Sequence, residues 1–158
     1  ELAAKLKAEG KTLHDYLESL YWQFGYHQES LKTVYMEGSE GMRRMTRLMD
    51  HLRQFMPKTL GGIEVSQKRD YFTHTLTDSN GNTSDLQGPT GNLIFFDLEE
   101  EGNYVAIRPS GTEPKVKIYL FAYQPAEMLA DIDLARSEMT TRLEALEADL
   151  QAIVDSTD

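Results

Sequence analysis

The chain predicts an α+β fold, an antiparallel sheet with its helices gathered on one face. Three observations predict it. Apolar residues recur at helical spacing near the start, again from residue 42, and over the last thirty or so residues. Between these stretches lie short runs of β-branched and aromatic residues bounded by Gly, Pro, Asn and Asp. The elements follow one another as helix, strand, helix, strand, strand, strand, helix, without the alternation that builds a parallel sheet.

Residues 2–8 favour helix and stop at Gly10, which suits a C-cap. Thr12 is the expected N-cap of a helix to about Phe24, with Leu13, Tyr16, Leu17, Leu20 and Phe24 on one face. Tyr26 to Met36 is read as extended on β-propensity. Gly38-Ser39-Glu40-Gly41 is a turn, with Ser39 the expected N-cap of the next helix. Met42, Met45, Leu48, Met49, Leu52 and Phe55 or Met56 form its apolar stripe, read as core, and Pro57 stops it. Gly61-Gly62 opens a strand from Ile63 to Tyr71. Residues 78–92 are polar and rich in turn formers, a surface connection with a lid as the alternative. Leu93 to Leu98 and Tyr104 to Ile107 flank Glu99-Glu100-Glu101-Gly102-Asn103 as a hairpin, and Val116 to Ala122 is the next strand. Pro125 is expected to open a long helix with Met128, Ile132, Ala135, Met139, Leu143, Leu146, Leu150 and Ile153 on a seam close to a heptad. That seam either packs on the sheet or, in its second half above all, pairs with another helix.

Composition narrows the function classes. The chain has 158 residues, 40% apolar and 27% charged, enough for one well-buried domain with extensions. It has no Cys, so a disulfide and a thiolate nucleophile are excluded. No apolar run approaches the ~20 residues of a membrane span. The first residues, Glu-Leu-Ala-Ala-Lys-Leu-Lys, are not a signal peptide and begin inside a helical pattern without an initiator Met. A fragment of a longer protein is therefore expected. A net charge of −10 argues against nucleic acid as the main partner. From Ala126 onward there are nine acids and two bases, whereas residues 108–117 hold three bases and one acid. His14, His27, His51 and His74 are scattered without metal-ligand spacing, and the Glu99–Glu101 run sits on a turn, where carboxylates are normally solvated. No metal site and no catalytic residue is assigned within the chain.

The functional signal is in residues 106–119, Ala-Ile-Arg-Pro-Ser-Gly-Thr-Glu-Pro-Lys-Val-Lys-Ile-Tyr. Arg108, Ser110, Gly111, Thr112 and Lys117 lie between two strand-like runs. Arg offers a planar fork of donors matched to phosphate, and Ser and Thr offer neutral hydroxyls. Gly111 is expected to take a positive φ and turn backbone N–H groups toward a ligand. This inventory suits a phosphate monoester. On composition alone, a Pro/Ser/Gly connection between strands is usually only a turn.

Arg108-Pro109-Ser110-Gly111-Thr112-Glu113-Pro114 resembles the phosphate-binding loop in the fourth and last domain of the α-D-phosphohexomutases. Thr12-Leu13-His14-Asp15-Tyr16-Leu17 through Phe24-Gly25-Tyr26, then Gly38 to Met45, is similar to the segment joining their third and fourth domains. The likeness covers roughly residues 10–123 and is strongest to the larger phosphoglucomutase/phosphomannomutase branch. It implies a four-stranded antiparallel sheet backed by helices, like that of the TATA-binding protein. Residues 1–25 would be a helical tail of the preceding domain or a linker, and 26–158 the phosphate-binding domain with its long C-terminal helix.

The resemblance also implies chemistry. The full-length enzyme would interconvert hexose 1-phosphate and hexose 6-phosphate, with the phosphoserine, the Mg2+ loop and the sugar-reading loop on other domains. None of those motifs is in this chain. Here Arg108 would make the main charged contact to the non-reacting phosphate, Ser110 and Thr112 would donate hydroxyl or backbone hydrogen bonds, and Gly111 a backbone N–H. Lys117 stands where related members often carry Arg, which keeps the charge and loses the bidentate fork. Glu113 would repel a phosphate if it pointed inward. The implied partners are a phosphosugar and the upstream domains of the same polypeptide, without nucleic acid or membrane, in the cytoplasm, with a homodimer through the C-terminal helix left open. A phosphopentomutase, a sugar-bisphosphate synthase, or a stand-alone anion-binding or helix-pairing module are the alternatives.

Overall fold

The structure, a computed structural model, describes residues 1–157. Two helices come first, α1 (Leu2–Ala8) and α2 (Leu13–Phe24). Thr12 caps α2 through a reciprocal box: its hydroxyl accepts from the Asp15 N–H at 3.1 Å, and the Asp15 carboxylate accepts from the Thr12 N–H at 2.8 Å. The Thr12 backbone N–H first, and the Thr12 hydroxyl second, stabilise the ionised Asp15 carboxyl and hold it below its ordinary pKa. The apolar face of α2 is not core. None of its residues is buried, and Leu13, Leu17 and Phe24 are exposed.

The chain then runs through β1 (Tyr26–Tyr35), α3 (Gly41–Gln54), β2 (Thr59–Leu60), β3 (Ile63–Asp70), β4 (Thr75–Asp78) and β5 (Thr83–Asp85). It continues with β6 (Ile94–Leu98), β7 (Tyr104–Pro109), β8 (Lys115–Gln124), a 3-10 turn at Ala126–Met128, and α4 (Ile132–Ser156). The fold class is α+β, as expected, but the sheet has eight strands and not four, in the order β1-β8-β7-β6-β3-β4-β5 with β2 on β3. Each pairing is antiparallel.

The extra strands have a physical reason. β4 and β5 form a hairpin partly inside the stretch expected to be a polar connection. The Asp78 carboxylate makes its turn by accepting from the N–H groups of Asn80 and Asn82, each at 2.9 Å. β5 is exposed along its whole length, so it carries no apolar alternation to betray a strand.

Two boundaries also differ from expectation. α3 is preceded by Glu40, not Ser39, and no side chain caps it. Its core side is Met45, Leu48, Met49 and Leu52, while Met42 and Phe55 are exposed. Pro125 opens only the 3-10 turn. α4 begins seven residues later, at Ile132, because the Asp131 carboxylate accepts from the Leu134 N–H at 2.8 Å. Met128 consequently lies off the seam and is exposed.

α4 settles where its seam goes. Ile132, Ala135, Met139, Leu143, Leu146, Leu150 and Val154 are all buried, so the seam faces this chain's own core along its full length. α4 lies across β1, β8 and β2. Its second half reaches the β2–β3 turn, where the Gly61 N–H donates to Asp149 at 2.8 Å and a Cβ on Gly61 would stand 3.0 Å from Leu146. Lys32 of β1 pairs with Glu147 at 2.8 Å beside the seam.

The sheet therefore has a covered face and an open one. Along β8, Val116, Ile118, Leu120 and Ala122 are buried against the helices, and Lys117, Tyr119, Phe121 and Tyr123 alternate with them on the other side, half-buried. The open face carries the candidate site at one end.

Candidate functional site

Register places the two cations. Arg108 of β7 stands opposite Lys117 of β8, and Lys117 stands opposite Thr33 of β1. Cross-strand partners have Cβ atoms about 4.5–5.5 Å apart. The three side chains thus form one row across three strands, on the face not covered by helices. Arg108 is exposed and Lys117 half-buried. Among the described residues neither makes a side-chain hydrogen bond or an ion pair. Like charges directly opposite each other in a sheet destabilise it. Two cations without partners among the described residues thus stand side by side in a chain of net charge −10, an arrangement that attracts anions.

The connection that follows is closed by its own backbone. The Ser110 N–H donates to the Lys115 carbonyl at 2.8 Å and the Lys115 N–H to the Glu113 carbonyl at 2.8 Å. The Ser110 hydroxyl oxygen accepts from the N–H groups of Thr112 and Glu113, each at 3.4 Å, leaving its proton to donate outward. The Pro114 carbonyl accepts from the Met36 N–H at 2.8 Å, which ties the loop to the end of β1. Gly41, the first residue of α3, packs so closely that a Cβ there would lie 1.9 Å from the Met36 carbonyl oxygen and 2.9 Å from the Pro114 Cβ.

Gly111 departs from expectation. Its φ is not positive, and nothing lies within 4 Å of where its Cβ would be. Its contribution is open space and an N–H that no described residue accepts, rather than a left-handed turn. The Thr112 hydroxyl, exposed, has no partner among the described residues either. Arg108, Ser110, Gly111, Thr112 and Lys117 are thus brought to one end of the open face. Glu113 is not unpaired: its Oε2 lies 2.5 Å from Lys115 Nζ. That hydrogen bond holds the Lys115 amine above its ordinary pKa. Lys115 in turn lies over the Tyr35 ring, 5.7 Å from its centroid.

Sequence reasoning missed Thr33, Tyr35 and Lys115. The first two come from β1, and only the β1–β8 register brings them to the loop. The signal for Lys115 was local, a base two residues after the loop's acid.

Other candidate chemistry is absorbed by structure. Glu100 pairs with Arg142 at 2.7 Å. His27 stacks on Tyr123, with centroids 4.4 Å apart, and His74 shares a hydrogen bond with Thr90 at 2.8 Å. Among the described residues no group of three or more His, Asp or Glu is placed to hold a metal ion. No helix among them is long and apolar enough to cross a membrane.

Comparison with known proteins bears on the same region. The family described as "Phosphoglucomutase/phosphomannomutase, C-terminal domain" matches residues 74–139, which include the whole of the loop and both cations. A phosphoglucomutase of Staphylococcus aureus strain MRSA252 is 39% identical over 119 residues, 75% of this chain and 21% of that protein. The phosphoglucomutases of strains MSSA476 and MW2 are each 38% identical over the same length. The chain spans about a fifth (21%) of the length of these curated relatives. With the antiparallel α+β sheet around it, the stretch that carries the Arg-Pro-Ser-Gly-Thr-Glu-Pro loop, residues 74–139, belongs to the family of phosphoglucomutase/phosphomannomutase C-terminal domains.

Proposed function

We propose that this chain is the phosphate-clamping part of a phosphohexomutase that interconverts hexose 1-phosphate and hexose 6-phosphate. The observation that carries the reading is the row of Arg108 and Lys117, two adjacent cations with no counterion, at the mouth of a loop with spare donors. Arg108 takes the phosphate through its planar fork, and Lys117 adds charge from the next strand. The Ser110 and Thr112 hydroxyls and the Gly111 N–H complete the shell. A phosphate held here does not react. It orients the sugar so that the far end meets the catalytic groups, and that positioning is a real share of catalysis.

The catalytic serine and the Mg2+ belong, on this reading, to upstream domains of the same polypeptide, and the isolated chain turns nothing over. The unburied apolar face of α2, with Leu13, Leu17 and Phe24 exposed, supports residues 1–25 as the piece that meets those domains. Residues 26–158 are then the phosphate-binding domain. On this reading the work is done in the cytoplasm, in the same compartment as its phosphosugar. A homodimer through α4 would have to use the helix's outer side, since its seam covers the sheet.

The test is a 15N-NMR titration of the chain with glucose 6-phosphate and, as control, glucose. Amides of residues 108–117 are expected to shift with the ester and not with glucose, and Arg108→Ala is expected to abolish the response. No movement at millimolar ester, or equal movement with glucose, overturns the reading.

A further inference from the structure

We infer that Lys115 is a positioning residue of the phosphate loop: it draws the loop's own carboxylate, Glu113, out of the anion site and cancels its charge. The inference rests on the phosphate-binding reading above and adds a residue to it.

The problem it solves is electrostatic. A loop that binds a doubly charged phosphate carries an acid three residues after Ser110. An ionised carboxylate a few ångströms from a phosphate dianion repels it, by about 1 kcal/mol per charge pair at 4 Å even in bulk water. The structure gives that carboxylate a fixed alternative. Glu113 Oε2 lies 2.5 Å from Lys115 Nζ, so the pair is a charge-assisted hydrogen bond.

Lys115 is itself held. Its side chain is only 18% exposed, while that of Glu113 is 58% exposed, so the lysine is the more enclosed partner. Its Nζ lies over the Tyr35 ring, and Tyr35 is its cross-strand partner in β1. Its backbone closes the loop at both ends, accepting from the Ser110 N–H and donating to the Glu113 carbonyl. Long side chains on a strand gain fixed geometry from such packing. Lys115 therefore sits on β8 two residues before Lys117, with its charge already committed. Arg108 and Lys117 keep theirs for the ligand.

A competing role would make Lys115 a third direct ligand of the phosphate, released from Glu113 when the ester binds. Two variants separate the roles. Lys115→Met keeps a long apolar stem and removes the charge. Glu113→Gln removes the acid.

The measurement is the Kd of glucose 6-phosphate, from amide shifts of the 158-residue chain, for wild type, each single variant and the double variant. Lys115→Met is expected to weaken binding about five- to tenfold, because it frees the carboxylate. Glu113→Gln alone is expected to stay within about twofold of wild type, since its charge is already cancelled. Lys115→Met with Glu113→Gln is expected to return to within about twofold of wild type.

Failure of the double variant to recover, or tighter binding by Glu113→Gln alone, overturns the inference in favour of a direct ligand. An unchanged Kd for Lys115→Met overturns it outright. In either case Arg108-dependent binding by wild type leaves the clamp itself standing. Absence of any response in wild type takes down both.

Discussion

Strand β7 ends in two turns of opposite character. At its start, residues 99–103 connect it to β6, and the buried Asn103 satisfies almost every polar group in reach. Its Nδ2 donates to the carbonyls of Glu100 and Glu101 at 3.2 Å and of Tyr123 at 3.1 Å, and its Oδ1 accepts from the Tyr123 N–H at 3.1 Å and from Arg142 at 2.8 Å. Gly102 takes a φ of +78°, and a Cβ there would lie 2.4 Å from the Tyr123 ring. At the other end, residues 110–114 leave a hydroxyl and a backbone N–H, and the strands that flank them two cations, without partners among the described residues. Both turns have Gly and both have acids. The difference teaches that a turn made for stability is recognised by saturation of its polar groups, and one made for binding by what it leaves unsatisfied.

Three experiments sharpen or break that contrast. The largest effect belongs to Asn103→Ala. It strands buried donors and acceptors on Tyr123 and Arg142, and is expected to cost about 3 kcal/mol. That is a fall in Tm of roughly 6–12 °C for a chain of this size. A fall of less than about 2 °C would show that water replaces the network. Next come the two glycines, compared directly. Gly102→Ala is expected to lose about 1–3 kcal/mol to strain at positive φ and to the Tyr123 ring. Gly111→Ala, with open space and ordinary φ, is expected to stay within about 0.5 kcal/mol in urea unfolding. Equal losses at both would erase the distinction between the turns. The smallest effect is expected from Lys117→Ala, which removes a point charge and not a fork. Affinity for glucose 6-phosphate should fall about fivefold, less than for Arg108→Ala, with no loss of thermal stability. A larger loss for Lys117 than for Arg108 would reverse the roles assigned to the two cations.

The binding turn was far more legible in sequence than the sheet around it. Arg108, Ser110, Gly111, Thr112 and Lys117 fall within ten residues, so local order alone announced them. The helices were legible for the same reason, through Thr12 and the apolar spacing of α2, α3 and α4. Partners contributed by distant strands were not. Thr33 and Tyr35 have no local mark and meet the loop only through register. The β4–β5 hairpin hid in a polar string because an exposed edge strand needs no apolar alternation. The face of α2 misled in the opposite direction: its periodicity is real, yet within this chain none of its residues is fully buried. The role of Glu113 also lay beyond the sequence, since only the side-chain geometry shows which way the acid turns.

The β1–β8 register has a kinetic consequence. It pairs residues 26–35 with 115–124, so the row of Arg108, Lys117 and Thr33 exists only once segments some eighty to a hundred residues apart have met. Closing so long a loop comes late and carries a large entropy cost before any contact rewards it. A form that lacks the β1–β8 pairing presents only the Arg108–Lys117 pair of the β7–β8 hairpin, without Thr33. A phosphate ester that needs the whole row should by mass action raise the stability of the fold as a whole rather than of the loop it touches.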